Sequence, residues 1–178
     1  MKNDIEYVAF SEEAIKSRIE ELGAQLSADY SDKNPLFIGV LKGAFVFLAD
    51  LIRNVSIQCE VEFLGVSSYG SGATTTGAVK ITKDLSCDIE GRHIILVEDI
   101  LDTGITLTYL KNYLEAHNPA SIKICAFLDK TARRKVPISA DYLGFECDDV
   151  FLVGYGLDFA ERYRGLPYIG VLKPELYL

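Results

Sequence analysis

Short apolar strands that alternate with amphipathic helices are the feature of this sequence that most limits its fold. Leu36 to Leu41, Ile94 to Val97 and Ile122 to Leu128 are apolar runs of strand length. Amphipathic stretches of helical length, Ala44 to Arg53 and Thr103 to Ala116, follow the first two runs. Strands that alternate with helices form parallel sheets covered on both faces. The sequence therefore predicts an α/β fold with a central, mostly parallel, twisted sheet flanked by helices.

The two ends of the chain depart from this alternation. Ser11, followed by two glutamates, is typical of a helix start, and apolar residues then recur at helical spacing. From Tyr142 on, the apolar runs are short and are separated by acidic or glycine-containing turns. Since no linker or repeat separates these parts, we expect one domain over residues 1–178. Its core would span about residues 30–140, and the N-terminal segment and the C-terminal part would form a small hood lobe.

Composition narrows the classes of function. The 178 residues are 49% hydrophobic, which fits one domain with a substantial core. A net charge of −8, from 26 acidic and 18 basic residues, argues against a general nucleic-acid or anionic-membrane binder. The chain lacks an apolar run of signal-peptide or bilayer length, so we expect a cytoplasmic protein. Four widely spaced cysteines that neither histidine joins at zinc-ligand spacing are interpreted as reduced thiols: Cys59, Cys87, Cys125 and Cys147.

The segment VEDILDTGIT, residues 97–106, places small polar residues at a predicted turn between a strand and a helix. In open α/β sheets, ligands bind beyond the carboxyl ends of the strands, where helix N-termini present free amide N–H groups. Gly104 allows close approach of a ligand to the backbone, and Thr103 and Thr106 add hydroxyl donors. This helix start can therefore hold a phosphate monoester.

The same segment carries acids, which a phosphate would repel. Glu98 and Asp99 must therefore face hydrogen-bond donors or a cation. A phosphorylated sugar with a divalent metal ion supplies both, since its hydroxyls donate hydrogen bonds and its phosphate lies on the helix start. The alternative is that the acids are solvated loop charges and that Asp-Thr-Gly is only a helix cap.

Several stretches together identify a family. IILVEDILDTGITL resembles the phosphoribosyl-pyrophosphate signature of the type I phosphoribosyltransferases. LKGAFVFLADL resembles the family's pyrophosphate-binding turn, and SSYG resembles its mobile catalytic loop. The part from LDKTARR through YLGFECDDVFLVGYGLDFAERYRGLPYIGVL resembles the purine-binding segment of the hypoxanthine-guanine branch. The resemblance, from about Leu36 to Leu172, implies purine salvage: the 5-phosphoribosyl group passes from phosphoribosyl pyrophosphate to N9 of hypoxanthine or guanine, giving IMP or GMP and pyrophosphate.

The resemblance implies roles for the acids and for the phosphate loop. Glu98 and Asp99 would hold the ribose hydroxyls together with Mg²⁺, and Asp102 would act as general base or acid toward N7 of the purine. Four consecutive residues would bind the 5′-phosphate through backbone amides and hydroxyls: Thr103, Gly104, Ile105 and Thr106. Because relatives often carry a polar or basic residue in place of Ile105, one side-chain phosphate contact is expected to be missing.

A second group of residues would bind pyrophosphate by the same resemblance. They are Leu41, Lys42, Gly43, Ser68, Tyr69 and Arg164. The family's turn often carries a non-proline cis peptide, here between Leu41 and Lys42, and an ordinary βα turn is the alternative. The polar loop Ser67 to Gly77 lies between predicted strands at Glu60 to Ser67 and Val79 to Thr82. Closing over the site, this loop would keep water from the activated sugar.

The purine would be bound by residues of the C-terminal half. Lys130 would donate to the 6-oxo oxygen, so that the amino group of adenine would face a cation. Phe151 would stack on the base, although a core aromatic is the alternative, and the Leu152 carbonyl would accept hydrogen bonds from the base. Asp158 would bind a second Mg²⁺. If Lys130 points away, the next candidates are Arg133 and Arg134.

Alternatives concern the substrate and the class of protein. A xanthine-preferring transferase would share these features, because backbone atoms mainly recognise the 2-position of the purine. An RNA-binding regulator that senses nucleotides on the same fold should display a basic patch, which the charge of −8 opposes. We expect neither a nucleic-acid nor a membrane partner. We expect a homo-oligomer, a dimer or a tetramer, in which exposed aromatics such as Tyr7 and Phe10 could form an interface.

Overall fold

A computed structural model describes residues 1–68 and 79–177. Within these residues the chain forms nine strands and three α-helices. The strands are β1 (Ile5–Phe10), β2 (Leu36–Leu41), β3 (Glu60–Ser68), β4 (Val79–Lys83), β5 (His93–Leu101), β6 (Ser121–Asp129), β7 (Tyr142–Glu146), β8 (Leu152–Val153) and β9 (Ile169–Leu172), and the helices are α1 (Glu12–Asp29), α2 (Phe45–Asn54) and α3 (Ile105–Glu115). Most of the predicted loop Ser67 to Gly77, including Tyr69, lies outside the described residues.

The central sheet has the strand order β4-β3-β2-β5-β6-β7 in the described part of the chain. All neighbours in it are parallel except β4, which lies antiparallel to β3 at one edge. Successive strand residues point to opposite faces. Phe37 therefore packs in the core beneath α1 and α2, and Ile38 packs in the core beneath α3. The predicted α/β fold, a mostly parallel sheet flanked by helices, is confirmed.

The two ends of the chain pair in a second, small sheet. Its order is β1-β9-β8, with antiparallel neighbours, so that the N-terminal strand joins the C-terminal part. The helix start predicted at Ser11 is confirmed, because the Ser11 hydroxyl accepts a hydrogen bond from the Ala14 amide at 3.2 Å. Phe10 stacks on Phe145 with ring centroids 4.5 Å apart, so the expectation that Phe10 is exposed is wrong, whereas Tyr7 is exposed.

Two boundaries differ from those predicted. Tyr142–Glu146 pairs in parallel with β6 and belongs to the central sheet, although its sequence groups it with the hood lobe. Strand β5 extends beyond Val97 to Leu101, because its pairing with β6 continues to Leu101 and Asp129. Glu98 and Asp99 therefore lie on the strand itself, and helix α3 begins at Ile105.

The four cysteines are free within the described residues, and Cys125 is buried in the core while Cys87 is exposed. In residues 1–68 and 79–177, no helix combines the length and the apolar character needed to cross a bilayer.

Candidate active site

Three segments meet at the carboxyl ends of β2 and β5. They are the turn after β2, the residues from Glu98 to Thr106, and the loop that follows β8. Gly43 touches the carboxylate of Asp99, and a Cβ atom at Gly43 would overlap it. Gly156 has φ of +99°, and a Cβ atom there would lie 2.2 Å from the Gly43 carbonyl oxygen. Glycine is required at both positions, and the peptide bond between Leu41 and Lys42 is cis.

Glu98 and Asp99 form a pair of acids, of which Glu98 is buried and Asp99 is partly buried. The Glu98 side chain is buried, and its Oε2 has no hydrogen-bond partner among the described residues. Burial raises the pKa of Glu98 well above its usual range, and the charge of Asp99 adds to the rise. Burial also raises the pKa of Asp99, against the opposing hydrogen bonds from Glu98 and from the Ile100 amide, which donates to Oδ1 at 2.8 Å. Such carboxylates suit a ligand that brings hydroxyl donors or a cation.

The start of α3 lies directly after these acids. Gly104 has φ of +82°, and a Cβ atom there would lie 2.5 Å from Ile138 and 2.9 Å from Val136. Only glycine fits, so the chain can turn sharply into the helix. The Ile105 amide lies 3.4 Å from the Thr103 hydroxyl. The first turn of α3, with Thr103 and Thr106 beside it, is an anion-binding geometry.

Asp102 lies between the acid pair and the helix start. Its Oδ1 is buried and makes no hydrogen bond within the part of the chain that the structure describes. The nearest cation is Arg133, whose Nε lies 3.5 Å from Oδ1 and 3.7 Å from Asp149. The sequence did not identify this contact. The only signal for it was the basic run that follows Lys130.

Lys130 is buried and directed toward the C-terminal segment. Its Nζ donates to the Val150 carbonyl at 2.8 Å and lies 3.9 Å from Asp149. Its backbone amide donates to the Leu101 carbonyl, which fixes the residue beside the end of β5. Arg134, the alternative, is engaged with Asp129 and with the Ile138 carbonyl. Lys130 therefore points toward the predicted base-binding residues.

Phe151 and Leu152 lie where the chain enters β8. Leu152 is buried within the small sheet and pairs with Val171. Phe151 is partly exposed, and its ring stacks on Tyr177 with centroids 4.7 Å apart. Phe159 meets the same ring edge-on at 5.5 Å. The sequence did not identify either aromatic neighbour of Phe151.

A cluster of charges connects the loop after β8 to the turn after β2. Arg164 Nη2 lies 2.9 Å from Asp158 Oδ1 and 3.2 Å from Glu161 Oε1, and Nη1 donates to the Gly156 carbonyl at 2.7 Å. Lys42 Nζ lies 3.0 Å from Glu161 Oε2. The structure thus brings together the predicted Lys42 and Arg164, and adds Glu161, which the sequence missed.

The predicted metal ligands do not form one group. No cluster of three or more metal-binding side chains occurs within residues 1–68 and 79–177. Glu98 and Asp99 are together, and the buried Glu98 oxygen would accept a cation. Asp158 already has partners: Arg164 lies 2.9 Å from one of its oxygens, and the Glu161 amide donates to the other at 2.8 Å. The acid pair therefore fits a divalent cation better than Asp158 does.

The predicted loop residues are only partly described. Ser68 is the last residue of β3 and pairs with Val79. Tyr69 lies outside the described residues, so its predicted contact with pyrophosphate remains a prediction.

This fold and this arrangement define a phosphoribosyltransferase. The phosphoribosyl transferase domain family matches residues 10–160, and the chain belongs to this family. The hypoxanthine-guanine phosphoribosyltransferase of Bacillus subtilis (strain 168) is 54% identical over 177 residues, which cover 99% of this chain and 98% of that protein. The bifunctional protein TilS/HprT of Listeria innocua is 50% identical over 99% of this chain, which covers 27% of that protein.

Solved structures give the same result. A Staphylococcus aureus hypoxanthine phosphoribosyltransferase superimposes with a TM-score of 0.96 and 46% identity, covering 100% of this chain and 97% of that one. The relatives therefore favour a purine phosphoribosyltransferase over an RNA-binding regulator built on the same fold.

Proposed function

We propose that this chain transfers the 5-phosphoribosyl group from phosphoribosyl pyrophosphate to N9 of hypoxanthine or guanine, forming IMP or GMP and pyrophosphate. One observation carries the proposal: the buried Glu98 and the partly buried Asp99 lie between the open start of α3 and the turn at Gly43. The start of α3 suits the 5′-phosphate of the donor substrate, and the turn at Gly43 suits its pyrophosphate group. The high identity to hypoxanthine-guanine phosphoribosyltransferases supports the choice of purine.

The sugar is bound by the acids and by the helix start. The ribose 2′- and 3′-hydroxyls donate hydrogen bonds to Glu98 and Asp99. These hydroxyls supply a donor for Glu98 Oε2, which accepts no hydrogen bond from the described residues. The 5′-phosphate lies on the turn from Thr103 to Thr106, where free amides and the helix dipole favour an anion. The acids bind the ribose hydroxyls and the helix start binds the 5′-phosphate, so the two contacts together fix the position of the anomeric carbon.

A divalent cation, for which we propose Mg²⁺, fits the same acids because hard cations prefer carboxylate oxygens. When bound, it supplies positive charge that stabilises the departing pyrophosphate. Glu98 and Asp99 would hold it, and Asp158 is the proposed ligand of a second ion. Of the two places, the acid pair has the stronger support, because Arg164 occupies one Asp158 oxygen.

The leaving group is neutralised by side chains of two segments. Lys42, on the turn after β2, and Arg164, on the loop after β8, present their charges to the same place. Their cations offset the negative charge that develops as the glycosidic bond to pyrophosphate breaks. Backbone atoms of Leu41 and Gly43 complete this subsite. The loop with Ser68 and Tyr69 is proposed to close over it and exclude water.

The purine lies between Asp102 and the C-terminal segment. Lys130 donates to the 6-oxo oxygen, Phe151 stacks on the ring, and the Leu152 carbonyl accepts from N1–H and from the 2-amino group of guanine. Asp102 accepts the proton from N7 as the bond to N9 forms, and it returns that proton in the reverse reaction. Adenine is disfavoured, since its amino group is a donor and would leave one N–H of the buried Lys130 ammonium without an acceptor.

A substrate comparison tests the proposal. Purified protein is given phosphoribosyl pyrophosphate, MgCl₂ and one purine at a time, and nucleotide formation is measured for hypoxanthine, guanine, xanthine and adenine. We expect turnover of hypoxanthine and guanine and none of adenine. Faster turnover of xanthine would favour the xanthine-preferring alternative, and no turnover of any purine would overturn the proposal.

A matched pair of lysine variants tests base recognition. Lys130→Ala should lower kcat/KM for hypoxanthine by about 10- to 100-fold, because it removes a charged donor to the base. The KM for phosphoribosyl pyrophosphate should change little. Lys135→Ala, which removes an exposed lysine of the same segment, is the control. If Lys130→Ala selectively weakens binding of the sugar phosphate, its assignment to the base is wrong.

We also propose that the chain forms a homo-oligomer. Tyr7 and Val8, each about half exposed, lie on β1 at an edge of the small sheet. Exposed apolar residues on an edge strand favour contact with another chain. Light scattering after size exclusion measures the molar mass, and a monomer at micromolar concentration would contradict the proposal.

A further inference from the structure

Glu161 has no role in the transfer reaction described above, yet it contacts both cations of the pyrophosphate subsite. One of its carboxylate oxygens lies 3.0 Å from Lys42 Nζ, and the other lies 3.2 Å from Arg164 Nη2. A single anionic group thus bridges two positive charges, as the oxygens of a diphosphate would. The glutamate occupies the place where the proposed leaving group needs those charges.

The two cations depend on Glu161 to different degrees. Arg164 is also fixed by Asp158, at 2.9 Å, and by the Gly156 carbonyl, at 2.7 Å. Lys42 is 67% exposed, and among the described residues Glu161 is the only side chain that binds its ammonium. Loss of the Glu161 charge would therefore release Lys42 while Arg164 stays in place.

The backbone presents the Glu161 carboxylate to the subsite while its side chain remains free to leave. Ala160 and Glu161 both have a left-handed backbone, with φ of +51° and +61°, which non-glycine residues adopt at a cost. The Glu161 amide donates to Asp158 Oδ2 at 2.8 Å, which holds the turn. The Glu161 side chain is 65% exposed, so it can swing into solvent without opening the core.

We propose that Glu161 is a positioning residue of the pyrophosphate subsite that competes with pyrophosphate for Lys42 and Arg164. In the ligand-free protein it occupies the anion position and keeps Lys42 over the site. On binding, the diphosphate displaces it, and after transfer it returns and favours release of the product. This inference rests on the proposed pyrophosphate roles of Lys42 and Arg164.

Glu161→Gln tests the competition, because it removes the charge and keeps the size of the side chain. Titration calorimetry with sodium pyrophosphate in excess MgCl₂ should give a dissociation constant about threefold lower than that of the wild type, the scale expected for an exposed ion pair. Product inhibition by pyrophosphate should strengthen by the same factor. A residue with a merely structural role would weaken binding or leave it unchanged, so a gain in affinity identifies a competitor.

Glu115→Gln is the matched control. It removes an exposed Lys–Glu pair of the same kind, Lys111 and Glu115 at 3.4 Å, on the outer side of α3. Its pyrophosphate affinity should equal that of the wild type. If Glu161→Gln binds pyrophosphate no more tightly than Glu115→Gln does, the proposal is overturned.

Two further variants separate this proposal from the assignment of the subsite. Lys42→Gln and Arg164→Gln should each weaken pyrophosphate binding, and the gain from Glu161→Gln should shrink in a Lys42→Gln background. Weakened binding in both, with no gain in Glu161→Gln, would remove only the role of Glu161. Wild-type affinity in both would overturn the subsite itself, and this inference with it.

Discussion

Two carboxylates of the central sheet, on strands that β2 separates, have opposite surroundings. Glu62 on β3 has a side chain only 12% exposed, and it accepts from the Phe63 amide at 2.8 Å, from Lys83 at 2.9 Å, and from the amide and hydroxyl of Ser86. The Ser86 hydroxyl is the largest of the causes that lower the pKa of Glu62 to about 2. Glu98 on β5 is buried with one oxygen unpaired in the described residues, and its pKa is raised.

The contrast separates a carboxylate that stabilises the fold from one for which we propose a role in ligand binding. A buried charge with several donors contributes to stability, whereas one without donors lowers the stability of the folded state. Such a residue is kept where function needs it, at the expense of stability. We therefore assign Glu62 to the structure of the sheet, whereas Glu98 and Asp102 are the acids that we propose for the chemistry.

The largest effect is expected at Asp102, the second acid in the described chain with a buried oxygen that accepts no hydrogen bond. Asp102→Asn keeps the shape but cannot take the proton from N7. The kcat for IMP formation should fall by about 10²- to 10⁴-fold, the usual contribution of general acid–base catalysis. Steady-state assays with hypoxanthine measure it. Unchanged turnover would show that Asp102 does not transfer the proton, and it would weaken the contrast between Glu62 and the acids of the candidate site.

Glu62→Gln should have the next largest effect, on stability rather than on activity. Because the folded-state pKa of about 2 lies below the ordinary value of 4.5, this carboxylate stabilises the fold above pH 4.5 and loses that effect as pH falls toward 2. The variant should be less stable by about 2–3 kcal/mol at pH 7. Urea unfolding at pH 7 and pH 3 measures the difference, which should narrow at pH 3. A difference independent of pH would contradict this account.

Glu98→Gln should have the smallest effect, of opposite sign. The pKa of Glu98 is higher in the folded protein than its ordinary value of 4.5, so ionisation of this side chain opposes folding. The stability of the fold therefore falls as the pH rises above 4.5. The ligand-free variant should be about 1 kcal/mol more stable at pH 7, without added metal. Its affinity for phosphoribosyl pyrophosphate should decrease. Lower stability of the ligand-free variant would show that Glu98 is not an unsatisfied acid.

Much of the central fold could be predicted from the sequence, because its signals are local. The apolar runs and the cap at Ser11 lie within the elements they specify. Strand β1 was missed because buried and exposed residues do not alternate along it. In addition, its partner, Ile169–Leu172, lies at the other end of the chain. The end of β5 was also missed, because pairing with β6 extends it past the last apolar residue of the run.

The candidate site divides in the same way. The acids and the phosphate turn from Glu98 to Thr106 are contiguous, so their chemistry can be inferred from nine residues. Contacts between distant residues could not be inferred. Lys42 and Glu161 are 119 positions apart, and the contact of Arg133 with Asp102 depends on how the segment after β6 folds back. Only three-dimensional packing brings these charges together.

The small sheet links the first residues of the chain to the residues that we propose for purine binding. Ile5 pairs with Leu172 on β9, and Gly170 of the same strand pairs with Val153, next to the proposed acceptor Leu152. Removing residues 1–10 would leave β9 without one neighbour and weaken its support of β8. A chain without residues 1–10 should therefore discriminate poorly among purine bases. It should still bind the sugar phosphate, because the turn that binds the phosphate follows β5 of the central sheet.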